Sequence, residues 1–115
     1  MNSFYISFSK KLAERDRIAF KRHAVMRMQE RGIRADDVKM AILAGEVIEE
    51  YPYDHPLPSA LLFGVTPTQR PLHAVVAADS TDDGMLWVIT VYEPDLRNWA
   101  HDFKTRRNND VVSIV

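Results

Sequence analysis

Two periods alternate along the chain. From about Arg22 to Ala44 apolar residues recur every three to four positions, whereas beyond Gly45 they recur every second position or run together. The first pattern predicts a helix from about Arg22 to Arg31, ended by Gly32, because glycine suits the left-handed turn that closes helices. A second helix is expected from about Ala35 to Ala44, with Asp36 and Asp37 at its positive dipole end and Gly45 as its stop. Phe4, Phe8 and Leu12, spaced by four, predict a short helix in an N-terminal extension of residues 1–19.

The second pattern predicts four strands, "EVIEEYP", "ALLFGV", "PLHAVVAAD" and "MLWVITVYEP", separated by "YDHPLPS", "TPTQR" and "STDDG". Connections this short favour an antiparallel meander, since a parallel crossover takes about a dozen residues or more. The last two strands are almost continuously apolar and should be central, covered on both faces. Pro94 ends the sheet, and "DLRNWAHDFKTRR" is expected to form a closing helix capped by Asp95. The expected fold is α+β: N-terminal helices on a four-stranded antiparallel sheet, with a closing C-terminal helix. The domain would span 20–103. Residues 104–115 form a tail, and its end "NNDVVSIV" either frays or adds a strand to a neighbour, which would make a homodimer.

Composition adds limits. The 115 residues suit one domain, and the absence of cysteine removes disulfides, thiolate metal sites and thiol nucleophiles. No apolar run is long enough to span a bilayer and the start lacks a secretory signal pattern, so a cytoplasmic location with no membrane partner is expected. Net charge is −1, but Met1–Lys39 carries ten Lys or Arg against five Asp or Glu, and Met40–Phe103 carries two against ten. Either the two blocks face each other or water, or the N-terminal block attracts an anionic partner.

Within that basic block, His23, Arg27 and Arg31 fall at 0, 40 and 80 degrees on a helical wheel, while Ala24, Met28 and Val25 form the apolar face at 100 to 200 degrees. The basic stripe therefore borders the core. Like charges four residues apart repel, so a partner is needed: Glu30, or a bound phosphate that guanidinium groups match with two prongs. His23 reads either as a capping or core histidine or as the group best suited to pass protons near neutrality. His73 faces opposite to Leu72 and Ala74 and reads as packing, as do Trp87 and Trp99. Arg97 either pairs with Glu93 or completes a phosphate pocket. The four histidines lack the spacing of a metal site, and Asp54 beside His55 reads as a local turn, so no metal or cofactor is expected.

The stretches "HAVMRMQERGIRADDVKMAILAGEVIEEYP", "LHAVV" and "ITVYEP" resemble the bacterial family called domain of unknown function 4258, from about Phe20 to Trp99. Its pattern is a His-Ala-x-x-Arg-Met-x-x-Arg-Gly-Ile opening and a Thr-x-Tyr-x-Pro strand end. Arg34 departs from it, standing where a capping Ser or Thr is usual. The resemblance implies kinship with compact RNA-cleaving toxins of the RelE, barnase-like and BrnT type. It also implies a metal-independent ribonuclease, a hydrolase with RNA as substrate and a small antitoxin-like protein as partner. The matching motif residues are His23, Arg27, Arg31, Thr90 and Tyr92. On this reading His23 moves protons, Arg27 and Arg31 stabilise charge on the scissile phosphate, and Tyr92 orients a phosphate or stacks a base. A non-catalytic binding module using the same stripe is the other reading. The slightly acidic isoelectric point favours it, because nucleic-acid affinity leans on phosphate neutralisation.

Overall fold

A computed structural model describes residues 3–81 and 83–107, with side chains from Ile6 onward. The elements, in order, are α1 (Ser3–Glu14), β1 (Ile18–Phe20), α2 (Arg22–Arg31), α3 (Ala35–Ala44), β2 (Glu46–Tyr51), β3 (Ser59–Val65), β4 (Pro71–Ala78) and β5 (Leu86–Tyr92). They form an α+β layer structure with three helices on one face of a five-stranded sheet, ordered β1-β5-β4-β3-β2. The proposed extra strand in the tail lies outside the described residues. No described helix is long and apolar enough to cross a membrane.

The sheet departs from the expected meander in one respect. Strands β2 to β5 are antiparallel as expected, but β1 adds a fifth strand, parallel to β5, with Ile18 opposite Leu86 and Phe20 opposite Val88. The backbone N–H groups of Leu86 and Lys21 donate to the carbonyls of Arg17 and Val88 and frame this pairing. Three residues are too few to show a period of two, so only a partner some seventy residues away in sequence reveals the strand.

Alternation sorts the sheet into two faces. Ala60, Leu62, Leu72, Ala74, Val76, Leu86, Val88 and Val91 face the helices and meet Ala24, Met28, Val38 and Ile42 in one core. Val25, expected on this apolar face, is 37% exposed, so the buried stripe of α2 is only Ala24 and Met28 wide. α3 crosses β3 so closely that a Cβ on Gly64 would lie 1.9 Å from the Ala41 carbonyl oxygen. Glycine is required there by contact rather than by backbone angle.

The opposite face carries His73, Tyr92 and Phe63 at one end, and that end is covered by residues 95–107. That segment is not the expected closing helix. The Asp95 Oδ1 accepts from the backbone N–H groups of Arg97 and Asn98, and the Asp102 Oδ1 accepts from those of Lys104 and Thr105. These side-chain bonds turn the chain twice and compete with helical hydrogen bonding. Ala100 N–H then donates to the Thr105 carbonyl, Arg107 N–H to that of Asn98, and Trp99 bridges Arg106 antiparallel. The result is a hairpin-like strap lying across the sheet.

Candidate functional site

The C-terminal half of α2 sets the position of the candidate site. Gly32, at φ 64°, ends the helix in the left-handed region, and the last carbonyls are then taken up from outside: Arg70 Nη2 donates to the Arg31 carbonyl at 2.6 Å and Nη1 to that of Gly32 at 2.9 Å. The same guanidinium binds the Glu93 carboxylate through Nε at 2.5 Å. Arg70 thus clamps the end of α2 to the end of β5. Its significance was not legible in the sequence, where it is one of two basic residues in an acidic stretch.

Beside this clamp lies a cleft of about 330 Å³ lined by Arg27, Arg31, Tyr92, Glu93, Asp95, Asn98, Trp99 and Arg106. Three elements build it: α2 supplies two arginines, β5 supplies Tyr92, and the strap supplies the far wall. Both carboxylates are engaged elsewhere, Glu93 by Arg70 and Asp95 by its own turn and the Asn98 amide. Arg106 is held too, its Nε and Nη2 on the two oxygens of Glu49 at 2.5 and 3.0 Å and its guanidinium 4.6 Å above the Trp99 ring. Arg27 and Arg31 have no carboxylate within ion-pair distance among the described residues, Glu30 included. They are the site's uncommitted cations.

Tyr92 is oriented from beneath. His73, fully buried, places Nε2 2.7 Å from the Phe103 carbonyl oxygen and Nδ1 3.1 Å from the Tyr92 hydroxyl. A carbonyl can only accept, so Nε2 carries the proton, Nδ1 is the acceptor and the Tyr92 O–H donates to it. Burial pushes the His73 imidazole below its ordinary value and the Tyr92 phenol above its own, which keeps both neutral. Trp99 meets the imidazole edge-on at 4.5 Å, and Phe63 meets it at 5.8 Å. Strap, imidazole and phenol form one connected unit. The reading of His73 as a packing residue captured its burial and missed this hydrogen-bonded role.

At the strap's outer edge, the Arg106 guanidinium and the Tyr51 hydroxyl hold the Glu49 carboxyl below its usual range, while burial and Glu49 push the Tyr51 phenol up to about 12. A second ion pair joins Lys104 to Glu46 at 3.0 Å.

The motif residues are brought together only in part. Arg27, Arg31 and Tyr92 share the cleft, whereas His23 is exposed on the first turn of α2 and does not line it. Eight residues separate His23 from Arg31, about 12 Å along a helix axis, a distance that a helical wheel suppresses. Thr90 lies on the sheet face two residues before Tyr92, and Arg97 is exposed on the strap; neither lines the cleft. Asn98, Trp99 and Arg106 do, and all three lie in the segment read as a helix. Among the described residues no three histidine or acidic side chains group as a metal site.

No curated relative and no solved structure matches the chain. A family model matches residues 20–93, which run from β1 through the α2 arginines to Tyr92 and Glu93 and stop short of the strap. With well over half its length so matched, the chain belongs to the family described as domain of unknown function (DUF4258).

Proposed function

We propose that the cleft binds a phosphodiester of RNA and that the protein cleaves it without metal, through attack of the adjacent 2′-hydroxyl. One observation carries the reading. Two guanidinium groups with no carboxylate partner converge beside a neutral phenol whose hydroxyl is fixed by a buried imidazole. Arg27 and Arg31 hold the non-bridging oxygens and stabilise the charge that grows there during attack. Tyr92 takes the proton of the 2′-hydroxyl on its oxygen as its own proton passes to His73 Nδ1. The 2′-oxygen to phosphorus bond forms, the bond to the 5′-oxygen breaks, water protonates the leaving oxygen, and the hydroxide so formed takes the proton back from His73 Nδ1 through Tyr92, so that both groups end neutral. Likeness to RelE and BrnT toxins, with an antitoxin-like partner, belongs to this proposal. His23 takes no part in the proton transfer on this geometry.

The test is a short oligoribonucleotide incubated in chelator. The expected product is a 2′,3′-cyclic phosphate, formed by wild type and by His23→Ala, lost in Tyr92→Phe, and absent when the oligonucleotide is 2′-deoxy at the cut site. Cleavage that needs His23 and ignores Tyr92 would overturn the proton path. The non-catalytic binding module is the second reading, favoured by the distance of His23 from the cleft; retained RNA binding by Arg27 and Arg31 with no product would establish it.

A further inference from the structure

The face of the sheet that carries Tyr92 holds a second hollow. It has about 370 Å³ of space, within the usual range for small-ligand pockets, and a mostly apolar lining of Ala77, Trp87 and Ile89 from the sheet with Pro56 and Leu57 from the turn after β2. Strand register fixes its relation to the cleft. His73 and Ala77 lie four apart on β4 and therefore point to one side, and their partners on β5 are Tyr92 and Trp87. Those partners are an odd number of positions apart, and the register shift between Val75 and Val76 absorbs the extra residue. Trp87 and Tyr92 thus share a face, about 13 Å apart along the sheet, the four-step span of their partners on β4.

Its polar rim differs in sign from the arginine cleft. Asp54 and Asp79 both border it, and each has one oxygen already used: Asp54 Oδ2 accepts from the Ser59 hydroxyl and Asp79 Oδ1 from the Thr81 N–H. Their other oxygens accept no hydrogen bond among the described residues. The Lys21 ammonium stands 4.6 Å over the Trp87 ring. A flat aromatic surface, apolar walls and two vacant carboxylate oxygens suit a planar heterocycle that bears amino donors, and they repel a phosphate.

We propose that this hollow is a nucleobase subsite for the same RNA strand whose phosphate occupies the arginine cleft, a proposal that rests on the RNA reading above. The base stacks on Trp87 in place of the ammonium, an exchange favoured because base stacking outweighs an exposed cation–π contact. Asp54 and Asp79 accept from the exocyclic amino group of adenine, cytosine or guanine. Uracil offers carbonyl oxygens at the corresponding edge and is disfavoured.

Two measurements test the subsite separately from the RNA reading. In the first, oligo-A, oligo-C and oligo-U of equal length are titrated at low salt. Wild type binds oligo-A and oligo-C more tightly than oligo-U; Trp87→Leu weakens the first two by about tenfold, and Asp54→Asn with Asp79→Asn, at the rim, erases the preference. Arg27→Ala with Arg31→Ala weakens all three while the preference remains. If the arginine variant weakens binding but neither rim nor tryptophan variant alters the preference, the subsite falls and the RNA reading stands. In the second, adenosine and cytidine, which carry no phosphate, are added while the Trp87 indole N–H resonance is followed in wild type and the arginine variant. A shift in both proteins supports the subsite even where oligonucleotide binding fails. No shift in either overturns it.

Discussion

Tyr92 and His73 face each other across β5 and β4, and what each residue does follows from a single proton placed by the Phe103 carbonyl. Because burial holds the folded imidazole below its ordinary value, the unfolded chain binds a proton first as the pH falls, and stability declines as the solution is acidified below about 6.5. Above that pH neither state is protonated and the contribution is level. Thermal melts between pH 7 and pH 5 should show this decline, and His73→Gln should flatten it, since the amide can donate to Phe103 and accept from Tyr92 without titrating. An unchanged slope in the variant would assign the titration to another group. Glu49, whose carboxyl is already held low, acts in a separate and more acidic window. None of this was legible in "PLHAVV", because alternation gives the side a residue faces and not what covers that side. At Gly64 the sequence was equally silent: Gly64→Ala should be strongly destabilising, by about 3 kcal/mol or more in denaturant unfolding, since its Cβ would meet α3 backbone that cannot swing aside.

Among elements, α2 and the strap contrast most. The bounds of α2 and α3 were legible because their signals are local: Gly32 in a left-handed turn, and Asp37 accepting from the Arg34 backbone N–H at 2.8 Å, which supplies a cap although the arginine side chain has no acceptor to offer. The strap was misread because "DLRNWAHDF" has helical spacing while Asp95 and Asp102 bend the chain by bonding its backbone. Its attachment is instead long-range, through Trp99 and Phe103 on His73 and through the ion pairs of Lys104 and Arg106. Trp99→Ala should therefore cost about 3 to 5 kcal/mol and also free the Tyr92 hydroxyl, so loss of RNA cleavage should exceed loss of the α2-dependent RNA binding. Met28→Ala removes the buried anchor of α2 and should cost about 2 to 5 kcal/mol without touching the strap. Hydrogen exchange at Ala100 and Arg107 separates the two cases, rising in the first variant and not in the second at temperatures where both remain folded.

For the molecule as a whole, a net charge of −1 gives no long-range pull on RNA, and the acidic stretch from Met40 to Phe103 opposes it. The salt-dependent part of the affinity must then come from short contacts at the two uncommitted arginines, which makes it countable. Each phosphate neutralised on a single strand contributes about −0.7 to the slope of log affinity against log salt, so the one phosphodiester gripped by both arginines gives about −0.7. Arg27→Ala with Arg31→Ala should bring the slope towards zero, while Arg106→Ala should leave it unchanged because that guanidinium already neutralises Glu49. Arginine-to-lysine changes separate charge from shape: Arg27→Lys keeps the slope but weakens binding several-fold, since an ammonium cannot grip two oxygens at once. A slope near zero in the wild type would remove the phosphate from the cleft. A slope much steeper than −2, unaffected by these variants, would place the nucleic acid on the remaining basic surface of α1 and α2.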